Sequence, residues 1–250
     1  MSDGFFVADI PLTVELGSTV VVDGAEAHHM SVRRIRLGEV VTLTNGEGRG
    51  VTGVVNELGK DHAEVVVADI LIDTHRTPRV TIVQALPKKD RTDQAIDLMT
   101  EVGVEGIIPW QASRSIVKWE GDKAETNRAR WQKIARESSK QARRLSFPTI
   151  GPLMQTAEVV DLITASSCTL IMHEKALTPI AFTTPHPPGQ CLIIIGPEGG
   201  LTHEEVEAFE LAGGVTCSMG PTVLRTSTAG AVACVLAHNQ CFLNHAMESR

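Results

Sequence analysis

No stretch of this chain approaches the roughly 18 consecutive apolar residues of a membrane-crossing helix, and Met1-Ser2-Asp3-Gly4 has no basic cluster leading into an apolar run. Neither an anchor nor a secretory signal is expected, and the cytoplasm is the default compartment. Cysteine is scarce: Cys168, Cys191, Cys217, Cys234 and Cys241 are odd in number, lie in apolar or small-residue segments and form no C-x-x-C pair. That argues against a disulfide framework and a zinc site, and reads as buried core thiols. Two nucleotide fingerprints are also missing. There is no G-x-x-x-x-G-K-[ST], and no G-x-G-x-x-G after a strand with an acidic residue about 20 positions on, so a phosphate-cradled or dinucleotide ligand is disfavoured. Histidine and acidic residues show no recognised metal-ligand spacing, and no metal is expected. Internal repeats and low-complexity tracts are absent; 183–189, with Pro185, Pro187 and Pro188, reads as a loop.

What is present is enough apolar material for a core. The chain has 250 residues, 42% of them hydrophobic, which can bury one good core or two modest ones. A net charge of −7 is unusual for a nucleic-acid partner, but the average hides a segregation. Residues 76–150 hold 15 of the 23 Lys and Arg against 9 of the 30 acidic residues, so a basic segment sits between two acidic ones. Within it Arg128, Arg130, Lys133, Arg136, Lys140, Arg143 and Arg144 recur through one helical stretch, compatible with a solvated surface facing phosphates.

The first 75 residues carry short β-rich runs at 18–22, 40–44, 50–55 and 63–70, punctuated by Asp23-Gly24, Asn45-Gly46 and Leu58-Gly59. This is a small β-barrel pattern. A short helix is expected over 28–35, carrying Arg33 and Arg34, with Arg36 following. These arginines are the candidate RNA contact, and the alternative is pairing with Glu26 or Glu39. From Arg79 onward strands at 80–86, 106–110, 170–172 and 191–195 alternate with helices at 92–102 and 127–143. Such alternation predicts an α/β fold with a mostly parallel sheet covered on both faces. The division falls near 73–78, giving domains 1–75 and 76–250.

The most telling local feature is the apolar run 191–195 ending in Gly196-Pro197-Glu198-Gly199-Gly200-Leu201 before Thr202. Glycines there let bare backbone approach a ligand, and Thr202 with Glu205 three residues on forms a capping box for a helix over 204–212. The same grammar recurs at Met219-Gly220-Pro221-Thr222-Val223-Leu224-Arg225, followed by a small, apolar helix expected over 230–243. Ligands of open α/β sheets sit at the carboxyl ends of strands, so two loops from neighbouring strands would sandwich one small organic ligand. Backbone groups plus Ile195, Leu201, Met219 and Leu224 would suit the adenosine and sulfonium of S-adenosylmethionine.

GPEGGL at 196–201 and MGPTVLRTSTA at 219–229 resemble the SPOUT class, specifically the RsmE family of small-subunit ribosomal RNA uridine-N3 methyltransferases. The resemblance extends in order through HHMSVRRIRLGE from His28, QALPKKDRTDQAIDLMTEVGV from Gln84, SRSIVK from Ser113, WQKIARESSKQARR from Trp131 and HEK at His173. Three positions depart from it. Ser227 stands where an acidic residue is usual, Leu98 and Met99 near a usual Lys, and Lys140 at a usual Glu. The resemblance implies a PUA-like RNA-binding barrel, a C-terminal trefoil knot and a homodimer. It also implies S-adenosyl-L-methionine as cofactor, and 16S ribosomal RNA, within the small ribosomal subunit, as partner. Arg225 and Glu198 are the catalytic candidates, Arg225 as the cation that stabilises a deprotonated uracil. His173, Ile195, Gly196, Gly199, Gly200, Met219, Gly220 and Leu224 are the cofactor candidates. Arg33, Arg34, Arg36, Arg114, Gln141 and Arg144 are the RNA candidates, and Glu101 is secondary. Two alternatives stay open: methylation of another RNA atom such as ribose 2′-O, and a non-catalytic RNA-binding assembly factor.

Overall fold

The computed structural model describes residues 4–73, 78–180 and 189–248, without the side chains of 89, 90 and 240–248. Most of the expected division at 73–78, the proline loop before Gly189 and the Cys241 thiol lie outside the described residues. Contacts divide the chain into two units: 1–74 together with 137–147, and 75–136 together with 148–250. No helix among the described residues is long and apolar enough to cross a membrane.

The first unit contains β1 (Gly4–Val7), β2 (Thr19–Asp23), α1 (Gly24–Val32), β3 (Val40–Thr44), β4 (Arg49–Leu58) and β5 (His62–Ile72). They form a five-stranded sheet in the order β1-β3-β4-β5-β2, antiparallel except for the β1–β3 pair. Period-two placement sends Val20, Val22, Val41, Leu43, Val51, Val55, Val65 and Val67 into one core with Phe6 and Met30. Residues 137–147 join this unit through Leu145, whose carbonyl accepts from Gly48 N–H at 3.0 Å and from the Thr44 hydroxyl at 2.9 Å.

The sequence places Arg33 and Arg34 on a helix over 28–35; the helix instead occupies Gly24–Val32 and both arginines follow it. Ile35 N–H donates to Met30 O at 3.1 Å and Arg34 N–H to Ser31 O at 2.9 Å, a Schellman closure. The burial of Ile35 draws the chain inward at this point, and Arg34 takes the left-handed position with φ of 57°.

The second unit holds β6 (Arg79–Ala85), α2 (Lys89–Glu101), β7 (Gly106–Trp110), most of α3 (Lys123–Gln141), β8 (Thr149–Ile150), α4 (Thr156–Ala165), β9 (Thr169–Met172), β10 (Gln190–Ile195), α5 (His203–Leu211), β11 (Val215–Cys217) and α6 (Thr226–Glu248). All its strand pairs are parallel, in the order β11-β9-β10-β6-β7-β8. Central β10 is apolar from Cys191 to Ile195, where both faces are covered. Cys191, Ile193 and Ile195 enter the core under α2, α3 and α6, while Leu192 and Ile194 enter the core under α4 and α5.

One expectation is corrected here. β10 and β11 are not neighbours; β9 lies between them, pairing with both. The sequence order β10-α5-β11 suggested direct adjacency, but hydrogen bonding follows Leu170–Met172, whose carboxyl end therefore opens between the two Gly-Pro loops. The basic helix is corrected as well. Arg128 pairs with Glu125 at 2.9 Å, one Arg130 nitrogen donates to both Asp93 oxygens at 2.7 and 2.8 Å, and Lys140 is buried, so these three cations have carboxylate partners within the chain and do not share one solvated face. Arg143 and Arg144 lie beyond the helix, not on it.

Candidate active site

The carboxyl ends of β9 and β10 and the loop after β11 surround a cavity of about 390 Å³. Its volume is in the usual range for small-ligand sites, about 300–1,000 Å³. All ten catalytic and cofactor candidates line it: His173 from the end of β9, Ile195, Gly196, Glu198, Gly199 and Gly200 after β10, and Met219, Gly220, Leu224 and Arg225 before α6. Glu174, Leu201 and Thr226 share the wall.

The geometry of each loop follows from local chemistry. Gly200 has φ of +71°, a left-handed position that glycine accepts without penalty, and its N–H closes the turn on Pro197 O at 2.9 Å. Thr202 caps α5 by accepting Glu205 N–H at 3.1 Å, and the Glu205 carboxylate accepts Thr202 N–H at 2.9 Å, as the spacing predicts. The loops are tied together, because the Thr226 hydroxyl donates to Gly196 O at 3.3 Å. His173 accepts Lys175 N–H on Nδ1 at 3.2 Å, which assigns the ring proton to Nε2. Arg225 is exposed at the rim, and its guanidinium has no ion-pair partner among the described residues. Glu198 accepts Lys88 N–H at 3.2 Å, joining the cofactor-side loop to the start of α2.

Two residues turn out to organise the site. Arg114 donates from one guanidinium nitrogen to Gly199 O at 3.1 Å and Leu201 O at 3.2 Å, and a Cβ on Gly199 would meet the Arg114 Cβ at 3.1 Å. Its guanidinium thus braces the loop that the sequence reading treats as separate from it. Buried Glu205 also accepts Ser113 N–H at 2.8 Å, so one carboxylate holds both the α5 cap and the loop after β7. The sequence offered Glu205 only as a capping residue. A carboxylate with a second oxygen to spare was the signal that it could reach further. Neighbouring Glu204 is held below the usual carboxylate range by backbone N–H bonding at the helix start and by the Thr202 hydroxyl.

The remaining candidates lie elsewhere. Arg33, Arg34, Arg36, Gln141 and Arg144 belong to the first unit, and Glu101 is exposed at the end of α2, outside the cavity. Ser227 is buried, with its hydroxyl 3.4 Å from Gln94 Oε1. The thiols of Cys168 and Cys191 lie 3.5 Å apart in the core; that contact and burial push the Cys191 thiol far up, and burial pushes Cys217 up to about 12. Such thiols are poor nucleophiles at neutral pH. Among the described residues no group of three or more His, Cys, Asp or Glu could hold a metal.

Residues 75–238 match the RNA methyltransferase domain family and residues 22–68 the RNA methyltransferase PUA domain family. Fold and cavity together define an RNA methyltransferase built on a parallel α/β sheet, with a PUA-like domain at its N-terminal side. Ribosomal RNA small subunit methyltransferase E of Mycobacterium bovis is 37% identical over 234 residues, covering 92% of this chain and 88% of that protein. The Bacillus subtilis protein of the same name is 31% identical over 234 residues, covering 90% and 91%. The crystal structure of ribosomal RNA small subunit methyltransferase E from Neisseria gonorrhoeae bound to S-adenosyl methionine superposes with a TM-score of 0.84 at 28% identity, covering 95% of this chain and 97% of that one. The chain belongs to the ribosomal RNA small subunit methyltransferase E family.

Proposed function

We propose that this protein transfers the methyl group of S-adenosyl-L-methionine to N3 of a uridine in 16S ribosomal RNA, with the small ribosomal subunit as its setting. The observation that carries this reading is the single cavity in which both Gly-Pro loops and the end of β9 meet, with a cation at its rim. Its donor set suits the cofactor: Ile195, Leu201, Met219 and Leu224 offer apolar wall to an adenine, the glycine loop offers backbone groups to a ribose, and the Glu174 and Glu198 carboxylates favour a sulfonium charge. The bound cofactor supplies an electrophilic methyl group on a sulfonium with a neutral thioether as leaving group.

The residues of the chain do the rest. Uracil N3 lies on the Watson-Crick edge and carries a proton at neutral pH, so the base must be unpaired and must lose that proton. Arg225 at the rim stabilises the negative charge that spreads over the ring as the proton leaves. Glu198, with one oxygen occupied by Lys88 N–H, keeps the other available to accept it. Arg114 and Glu205 hold the glycine loop so that N3 and the methyl group are aligned. The proposal includes the trefoil knot and a homodimer, both resting on the family resemblance, and a cytoplasmic setting.

Calorimetric titration with S-adenosylmethionine, paired with transfer of labelled methyl to small ribosomal subunits lacking 3-methyluridine, tests this reading. Binding with label recovered as 3-methyluridine is expected. Label in a 2′-O-methyl nucleoside would replace the acceptor, and an absence of cofactor binding would sink the enzymatic reading.

A further inference from the structure

Gly230 stands in the second turn of α6, where helix propensity favours almost any other residue. Its φ is an ordinary helical one, so no left-handed conformation requires it. What requires it is space. A Cβ at this position would lie 2.6 Å from Met99 Sδ, 3.2 Å from Met99 Cγ and 3.3 Å from Gln84 Oε1. Ordinary contact is about 3.5–4.0 Å, so a methyl group here demands a shift of about 1 Å from one partner or the other. Met99 has little room to give, being fully buried in the core under α2 and α6. Gln84 is fully buried as well. Its Nε2 donates to Ala85 O at 3.0 Å, and among the described residues its Oε1 accepts no hydrogen bond. A glycine Cα–H can donate weakly to such an oxygen, and a methyl group in its place cannot.

The turn before Gly230 carries the cation of the cavity. Arg225 O accepts Thr228 N–H and Ala229 N–H, both at 2.9 Å, so the Arg225 backbone is fixed by the first turn of α6. That turn is tied on two sides: the Thr226 hydroxyl reaches Gly196 O at 3.3 Å after β10, and the Ser227 hydroxyl lies 3.4 Å from Gln94 Oε1 of α2. Thr226 and Ala229 line the cavity themselves. The depth to which α6 settles on Met99 of α2 and Gln84 of β6 therefore sets where Arg225 stands relative to the glycine loop. Ala229, Ala231 and Ala233 are buried in the same core and each has a Cβ; residue 230 is where α2 and β6 come too close for one.

We infer that Gly230 is a positioning residue for methyl transfer: by carrying no side chain it lets α6 seat on Met99 and Gln84 at the depth that holds the Arg225 guanidinium beside the reacting base. This deepens the proposed function and rests on it. Gly230 does not line the cavity, so it acts through the start of α6. Alignment of reacting groups is steep in distance, a misplacement of about 1 Å costing about 10²-fold in rate. The cofactor walls come mainly from the ends of β9 and β10 and from Met219 to Leu224, which a displaced helix start disturbs less.

The test compares the wild type with Gly230→Ala, Met99→Ala and the double variant, and repeats Gly230→Ala in an Arg225→Ala background. Single-turnover methyl transfer to small ribosomal subunits lacking 3-methyluridine, calorimetric affinity for S-adenosylmethionine and melting temperature are measured for each. Gly230→Ala is expected to slow transfer about 10- to 100-fold while cofactor affinity stays within about threefold. Cutting back Met99 removes the obstructing sulfur, so the double variant should recover transfer to within about fivefold of the wild type although it melts lower. With Arg225 already replaced, Gly230→Ala should slow transfer less than about threefold further, because the group it displaces is gone. Gly230→Ala at the wild-type rate, a double variant as slow as Gly230→Ala, or fully additive losses with Arg225→Ala would each overturn this inference alone. Should Gly230→Ala fail to fold, the double variant decides: folded with transfer restored, it supports the seat; unfolded or slow, it overturns it. A wild type that neither binds the cofactor nor transfers methyl would overturn the inference together with the proposed function.

Discussion

Replacing Glu205 by alanine should damage both the stability of the second unit and its grip on the cofactor. The residue is 3% exposed, and its carboxylate accepts Ser113 N–H at 2.8 Å, Thr202 N–H at 2.9 Å and, more weakly, the Thr156 hydroxyl at 3.5 Å. Hydrogen bonds to an ionised group contribute about 1.5–3 kcal/mol each, and donors left unsatisfied in the interior lose their hydration as well. Burying the carboxylate costs part of that gain, so the net loss is about 2–4 kcal/mol. For a chain of this size that corresponds to a fall in melting temperature of about 5–15 °C. The loop Gly196–Leu201 is anchored on one side by the Thr202 cap and on the other by the segment that begins at Ser113, so cofactor affinity should fall about tenfold or more. Glu205→Gln retains one acceptor oxygen and should lose about half as much stability. Thermal unfolding followed by circular dichroism, with calorimetric titration of S-adenosylmethionine, measures both effects. An alanine variant melting within about 2 °C of the wild type, with unchanged affinity, would refute the view that this carboxylate organises the site.

Arg225→Ala should leave cofactor affinity intact and lower methyl transfer about 10²- to 10³-fold, the range for removing one group that stabilises developing negative charge; undiminished kcat in single-turnover transfer would remove its role. Arg114→Ala should raise the KM for S-adenosylmethionine several-fold with a smaller effect on kcat at saturation, since it acts through the carbonyls of Gly199 and Leu201; the opposite split would place it on the RNA or the reacting atoms. The two shifted histidines of the first unit predict opposing pH effects. Burial, Lys140 and Arg33 lower the His29 pKa, so the unfolded chain binds the extra proton and stability erodes as pH falls below about 6.5. The hydrogen bond to Asp23 raises the His62 pKa, so its contribution is present below about 6.5 and is lost as pH rises through the folded value. His29→Gln should flatten the acid-side loss of melting temperature and His62→Asn should steepen it; unchanged profiles would refute both assignments.

Much of the site was legible because it is written locally. Gly196 to Gly200 followed by Thr202 and Glu205 specifies a turn and a cap within ten residues, and the second Gly-Pro loop repeats the grammar before α6. Apolar β10 announced a strand covered on both faces, and its five buried residues divide between two cores by simple alternation. Alternating strands and helices after Arg79 likewise made a parallel sheet the natural reading.

What the sequence could not decide is which segments become neighbours. Side-chain periodicity states how a strand is covered, not which strand pairs with it, and so it gave no sign that β9 would separate β10 from β11 and set His173 between the two loops. The two-residue strand β8 is too short to carry a period, and α4 is capped by Gln155 rather than a residue that announces a helix start. Residues 137–147 read as the end of a basic helix, but Leu145 carries them to the first unit and Lys140 is buried there against Glu26. Arg34 and Arg143 look helical by spacing; the closure hydrogen bonds that place them outside the helices depend on where Ile35 and the chain beyond Arg144 must go. Local backbone chemistry therefore determined the loops, the caps and the alternation of elements. Long-range pairing and burial, which answer to the whole core at once, decided which of those pieces face the same cavity.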